Sequence, residues 1–171
     1  MYRFVRSALV PASCAIAATA CFNAPALAHP HIFAEASLEI VVGSDATLES
    51  LRHVWRFDDL FSSTVLLEFD ENSDLELSHD ELEAVASVIH ESLAEFGYFQ
   101  FVSANDKSVE MRAPERIIAL FEDHQLTILF ESSPTAPLKL EGKVDFGVYD
   151  PSFYTAIDFY KDENLSVSNL P

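Results

Sequence analysis

The acidic segment from Asp70 to Glu81, which reads DENSDLELSHDE, is the stretch whose residue types and spacing most clearly predict chemistry. A twelve-residue calcium loop uses oxygen ligands at positions 1, 3, 5, 7, 9 and 12, with a backbone carbonyl at position 7 and a bidentate Glu at position 12. On this spacing the predicted calcium ligands are Asp70, Asn72, Asp74, Glu76, Ser78 and Glu81. Because Ca²⁺ takes about six to eight hard oxygen ligands, the segment predicts a calcium site.

Position 6 of the loop departs from this pattern. The backbone of a calcium loop turns sharply there and Gly is the usual residue, whereas this chain has Leu75. A branched side chain in a left-handed conformation costs about 1–2 kcal/mol. An interpretation without metal therefore stays open, because Ser78 and Glu81 also have the spacing of a helix capping box.

The first 28 residues are typical of a secretory signal peptide. Arg3 and Arg6 precede an apolar stretch, and Ala26-Leu27-Ala28 has the small-residue pattern of a cleavage site. We expect export, cleavage after Ala28 and a periplasmic location. Cleavage would remove both cysteines, Cys14 and Cys21, which excludes thiolate metal sites and a catalytic cysteine in the mature chain.

Cleavage after Ala28 would place His29-Pro30-His31 at the new N-terminus. An α-amine and two imidazoles suit Ni²⁺, Co²⁺, Zn²⁺ or Cu²⁺, so we predict His29 and His31 as transition-metal ligands. Pro30 has no amide hydrogen, so a square-planar chelate through two deprotonated amides cannot form, and other groups of the fold would have to complete the site. The alternative is that both histidines are polar residues without a metal.

The charge balance excludes two classes of partner. The chain has 28 Asp and Glu against 10 Lys and Arg, a formal charge of −18. Nucleic acids and anionic membrane surfaces both require positive charge on the protein, so we expect neither as a partner. The sequence also lacks the HExxH, GxSxG, P-loop and GxGxxG motifs, so no enzyme class has a motif to support it.

The predicted metal ligands must be positioned by strands and helices, and the hydrophobic pattern of the sequence predicts where these lie. Two β-rich segments, from Ile32 to Val42 and from Leu48 to Phe57, predict a hairpin. His53 lies in the second strand beside Trp55, and we expect it to be partly buried and hydrogen-bonded.

Two helices are predicted next, one capped by Asp58-Asp59 and one ending at Gly97, with the acidic loop between them. Further strands follow, and a polar tail from Lys161 is expected to fray. The order predicts one α+β domain over residues 29–171. It would be an antiparallel sheet or sandwich with an inserted helix–loop–helix pair, similar to an EF-hand, at about 58–97.

Several segments together resemble one bacterial family, called domain of unknown function 1007. The segments, in chain order, are His29-Pro30-His31-Ile32-Phe33, Trp55-Arg56-Phe57-Asp58, Phe69 to Glu81, Glu95-Phe96-Gly97-Tyr98-Phe99 and Val148-Tyr149-Asp150-Pro151-Ser152-Phe153-Tyr154. Members are exported and are often described as periplasmic components of an uncharacterised transport system. Their genes often lie near nickel/cobalt-type or other metal transporters. An EF-hand-like loop is common among them, and Leu75 is where this chain departs from it.

The residues and the resemblance together predict a non-enzymatic, periplasmic protein that binds divalent metal beside an inner-membrane metal transporter. Calcium would occupy the acidic loop, and a nickel, cobalt, zinc or copper ion would occupy the N-terminal histidines. Two alternatives stay open. One is a calcium-stabilised adaptor that carries no metal cargo, and the other is a copper enzyme that uses the N-terminal His.

Overall fold

The computed structural model describes residues 30–168, so the expected signal peptide, His29 and residues 169–171 lie outside it. Within these residues, two α-helices, α1 (Asp59–Phe69) and α2 (His79–Ala94), follow the first two of ten strands. The strands are β1 (Ile32–Val42), β2 (Thr47–Phe57), β3 (Gln100–Ala104), β4 (Lys107–Val109), β5 (Ile117–Glu122), β6 (Gln125–Ser132), β7 (Leu138–Lys139), β8 (Val144–Val148), β9 (Thr155–Asp158) and β10 (Leu165–Ser168).

The predicted hairpin of β1 and β2 forms the centre of the larger sheet. Its strands are antiparallel, with Ala34 opposite Phe57 and Leu38 opposite His53. Buried and exposed residues alternate along most of β2, as expected for a strand with one face against the core. The sheet continues through β6 to β5, which gives the order β10-β1-β2-β6-β5, with β7 beside β2 and β9 beside β1.

The C-terminal segment is part of this sheet, and the prediction that it frays from Lys161 is wrong. Strand β10 pairs in parallel with β1, with Leu38 opposite Leu165, and β9 pairs in parallel with an earlier part of the same strand. Asn164 is buried, and its side-chain amide donates a hydrogen bond of 3.0 Å to the carbonyl of Ala36. The polar sequence hid this contact, because the segment is attached by strand pairing and one buried amide and not by a run of apolar residues.

A smaller sheet has the order β4-β3-β8 and is antiparallel throughout. The described chain is therefore a mixed α+β structure with two helices and two mostly antiparallel sheets, as the sequence predicted at that level.

The helices cover one face of the larger sheet. Helix α1 packs on β6 and α2 packs on β5. Trp55 lies at the centre of the core and contacts the rings of Phe99 and Phe130. Within residues 30–168, neither helix is long and apolar enough to cross a membrane.

Candidate metal centre

Both helices begin at a side-chain cap, and the acidic segment lies between the C-terminus of α1 and the N-terminus of α2. Asp58 caps the N-terminus of α1, where its carboxylate accepts hydrogen bonds from the N–H groups of Leu60 and Phe61 at 2.8 and 3.0 Å. At the other end of α1, the Asp70 N–H donates to the carbonyl of Leu66 at 2.9 Å. Ser78 caps α2, where the predicted capping box with Glu81 is present. The acidic segment is therefore held between two helix termini, as the sequence predicted.

The first three predicted ligands turn their oxygen atoms toward the backbone of the loop. The carboxylate of Asp70 accepts hydrogen bonds from the N–H groups of Asp74 and Leu75, at 3.2 and 2.9 Å. The side-chain oxygen of Asn72 accepts from the N–H of Asp74, and one oxygen of Asp74 accepts from the N–H of Glu76, both at 2.9 Å. These bonds wrap the segment into a tight loop.

Leu75 has the left-handed backbone that position 6 of a calcium loop requires. Its φ is 66°, and Ser73 nearby also has a positive φ of 61°. The Leu75 side chain is 66% exposed, so packing of the side chain does not compensate for the cost of this conformation. The hydrogen bond from its N–H to Asp70 is the contact that holds it there.

Glu81 reaches back across the loop from α2. One of its oxygens accepts a hydrogen bond of 2.7 Å from the N–H of Ser78, and the other accepts one of 2.9 Å from the N–H of Glu71. Hydrogen bonding to Ser78, and secondarily to Glu71, lowers the pKa of the Glu81 carboxyl. The ionised carboxylate thus closes the loop, as a twelfth-position ligand would.

The remaining predicted ligands are arranged differently. The hydroxyl of Ser78 accepts a hydrogen bond of 3.4 Å from the N–H of Glu81, so it acts as a helix cap. Glu76, which was predicted to bind through its backbone carbonyl, has an exposed side chain. Within residues 30–168, no three His, Cys, Asp or Glu side chains lie close enough together to hold a metal ion. The donor types fit Ca²⁺, and coordination would require the side chains to turn from backbone N–H groups toward the ion.

Of the two predicted transition-metal ligands, His31 lies immediately before β1 and His29 lies outside the described residues. The His31 ring is exposed and contacts the ring of Tyr154, with centroids 5.0 Å apart. Its backbone N–H donates to the carbonyl of Tyr154 at 2.8 Å. Within residues 30–168, His31 belongs to no group of three or more His, Cys, Asp or Glu side chains that could hold a metal ion.

The loop that carries Tyr154 is held by the side chain of Asp150. Its carboxylate accepts hydrogen bonds from the Ser152 N–H and hydroxyl and from the Thr155 N–H, at 2.6–2.9 Å. Phe153 and Tyr154 are both exposed. No sequence pattern indicated that His31 lies beside this loop, because the contact results from the parallel pairing of β1 with β9, which are far apart in the sequence.

The comparisons with known proteins give a family and no activity. A family model described as "Protein of unknown function (DUF1007)" matches residues 14–171. None of the curated proteins compared with the chain matches it. Since the match spans most of the sequence, the chain belongs to the DUF1007 family.

Proposed function

We propose that this protein is an exported accessory of a metal transport system that binds divalent cations and catalyses no reaction. It would be cleaved after Ala28 and act in the periplasm beside an inner-membrane metal transporter. Ca²⁺ would bind the loop from Asp70 to Glu81, in an EF-hand-like pair of helices. A Ni²⁺, Co²⁺, Zn²⁺ or Cu²⁺ ion would bind at His29 and His31.

The backbone of Leu75 is the observation that carries the calcium proposal. An exposed leucine gains nothing from packing by adopting a left-handed conformation, and strained residues of this kind cluster at binding and switch sites. The conformation is the one a calcium loop needs at this position, although the residue is not the usual Gly.

The hydrogen bonds within the loop are compatible with a bound cation. A carboxylate has about four lone-pair sites, so the groups that accept one or two N–H bonds keep sites for coordination. The side-chain oxygens of Asp70, Asn72 and Asp74 accept hydrogen bonds from the loop backbone and would turn toward the ion, as Glu81 would from the N–H groups of Ser78 and Glu71. Bound Ca²⁺ would neutralise part of the negative charge and link α1 to α2.

Metal titration of the mature protein, followed by native mass spectrometry and thermal unfolding, tests both sites. We expect one Ca²⁺ per chain and a rise of several degrees in Tm, because a ligand at about 100 times its Kd stabilises the folded state by about 2.7 kcal/mol. Glu81→Gln should abolish this rise, since Gln preserves a capping box but removes the anionic ligand. Glu83→Gln, on the exposed side of α2, is the matched control and should respond like the unaltered protein.

The same titration with Ni²⁺, Co²⁺, Zn²⁺ and Cu²⁺ tests the N-terminal histidines. We expect one transition-metal ion, lost when His29 and His31 are both replaced by Ala and retained when the exposed His79 and His124 are replaced. Equal calcium stabilisation of the unaltered protein and Glu81→Gln would refute the loop assignment. Transition-metal binding that survives the double substitution would refute the N-terminal assignment.

A calcium-stabilised adaptor without metal cargo is the second candidate. It is favoured by one observation, namely that the exposed His31 ring contacts Tyr154 and, within residues 30–168, belongs to no group of three or more potential metal ligands. This candidate predicts a rise in Tm with Ca²⁺ and no binding of the four transition metals.

A further inference from the structure

Helix α1 presents an apolar stripe on the side that faces away from the core. Leu60 is 74% exposed and Leu67 is 78% exposed. Residues seven apart lie on the same helix face, about two turns or 10 Å from each other. The buried Ser62 and Val65 lie on the opposite face, so neither leucine is needed to attach α1 to the sheet.

Surface leucines are common singly, but two aligned on one short helix are unusual for a face that only contacts water. An amphipathic surface helix normally places polar and charged residues on its solvent side. Here the solvent side carries Leu60 and Leu67 with Thr64 between them, and the exposed Asp59, Ser63 and Glu68 flank this row. An exposed apolar stripe with a polar surrounding is the pattern of an interaction site.

The charge around this stripe has a single sign. Residues 57–106, which include both helices and the loop, contain 13 Asp and Glu and no Lys or Arg. Asp59 and Glu68 lie on α1 itself, and Asp70 and Glu71 follow it directly. Such a field attracts cations and repels anionic lipid and nucleic acid, so a partner that covers the leucines must be positively charged.

We propose that the outward face of α1 is a docking surface for a cationic amphipathic helix of a partner protein. A row of two leucines along a helix fits a partner helix whose own apolar residues recur at every third or fourth position. Lys or Arg on the flanks of that helix would lie against Asp59 and Glu68. The small size of the stripe predicts a weak, transient complex.

A second copy of the chain cannot supply this partner helix from its described residues. In residues 30–168, neither α1 nor α2 contains a Lys or Arg, and the basic residues lie on strands and loops. Association of two copies through this face would also bring two strongly acidic surfaces together. The partner is therefore a different protein.

Fluorescence anisotropy with two synthetic peptides tests the proposal. One peptide is a helix of Leu and Lys with the leucines on one face, and the other has the same composition with the leucines scattered around the helix. Both are titrated with the mature protein in EDTA, so the result does not depend on the proposed metal sites. We expect the amphipathic peptide to bind at least tenfold more tightly than its isomer.

Paired variants show whether the stripe itself is responsible. Leu60→Gln with Leu67→Gln keeps the charge and helix propensity, and it should weaken binding of the amphipathic peptide at least tenfold. The matched control is Leu165→Gln with Val167→Thr on β10, at the far edge of the sheet, where the side chains are 55% and 47% exposed. This control should bind within twofold of the unaltered protein, and circular dichroism checks that both variants are folded.

Three results would overturn the proposal. Equal binding of the two peptides would mean that charge alone attracts them, and unchanged binding by the Leu60/Leu67 variant would place the contact elsewhere. Binding of phosphatidylcholine vesicles that is lost in the same variant, without peptide binding, would identify a lipid surface instead.

Discussion

The burial of His53 makes the stability of this protein depend on pH in a way that can be calculated. The ring is 1% exposed, stacks on Phe130 with centroids 4.4 Å apart and lies edge-on to Trp55. Among the described residues, neither ring nitrogen has a hydrogen-bond partner of regular geometry. Burial therefore lowers the pKa of His53 from 6.5 to about 4, and the nearby Gln100 side chain opposes this shift only partly.

The sign of the effect follows from the two pKa values. The unfolded chain protonates His53 near pH 6.5, whereas the folded chain keeps it neutral down to about pH 4. Between these values the unfolded state binds more protons than the folded state. The free energy of unfolding is therefore not reduced by His53 above about pH 6.5, and it falls as the pH decreases toward 4. The loss from pH 7 to pH 5 is about 2 kcal/mol, and it reaches about 3 kcal/mol below pH 4.

Urea unfolding of the unaltered protein and of His53→Phe, at pH 7 and pH 5, measures this loss. Phe retains a flat ring for stacking on Phe130 and cannot take up a proton. Removing unpaired polar atoms should leave the stability at pH 7 unchanged or higher. We expect the unaltered protein to lose about 2 kcal/mol more than the variant between the two pH values. Equal losses in both proteins would refute the assignment of the pH dependence to His53.

Two further predictions concern the loop and the contact of α1 with the sheet. Leu75→Gly should raise the free energy of unfolding by up to about 1 kcal/mol, because relief of about 1–2 kcal/mol of backbone strain exceeds the added flexibility of Gly in the unfolded chain. Urea unfolding measures the change, Glu76→Gly is the control expected to be destabilised, and a less stable Leu75→Gly protein would contradict the strain argument. Ser62→Ala should lower the free energy of unfolding by about 1–3 kcal/mol, since it removes the acceptor of the buried N–H of Leu126 at 2.9 Å. The exposed Ser63→Ala is its control, and equal effects of the two substitutions would show that the buried bond contributes nothing.

Local patterns in the sequence predicted the local elements well. The hairpin of β1 and β2 and the caps at Asp58 and Ser78 are all present. Gly97 does have a positive φ of 59°, although α2 ends three residues earlier, at Ala94. These features depend on contacts between residues close in sequence, which patterns of a few residues encode directly.

Contacts between distant segments were not predictable in the same way. The parallel pairing of β10 with β1, and the placement of Tyr154 beside His31, join the two ends of the chain and leave no local pattern. His53 was expected to be partly buried and hydrogen-bonded, but it is fully buried and unpaired. The residues that bury His53 lie on β6 and at the start of β3, so the sequence of its own strand could not predict its burial.

The conformation of the acidic loop was predictable from the sequence only in part. The spacing of Asp70, Asn72 and Asp74 predicted inward-pointing oxygens, and these oxygens do bind the loop backbone. The sequence could not show whether Leu75 would adopt the left-handed conformation, because this depends on the balance between steric cost and the bond to Asp70. Whether the loop holds calcium remains a prediction that the titration decides.

The pairing of β1 with both β9 and β10 also constrains how the chain folds. The first described strand acquires its outer neighbours from residues 155–158 and 165–168, so the main sheet cannot be completed until nearly the whole chain is available. Contacts between such distant segments slow folding, because a large loop must close before they form. The first hairpin can form early, but its β1 edge stays open until the end. During that interval this edge is the place where a chaperone would bind or where two unfinished chains would aggregate.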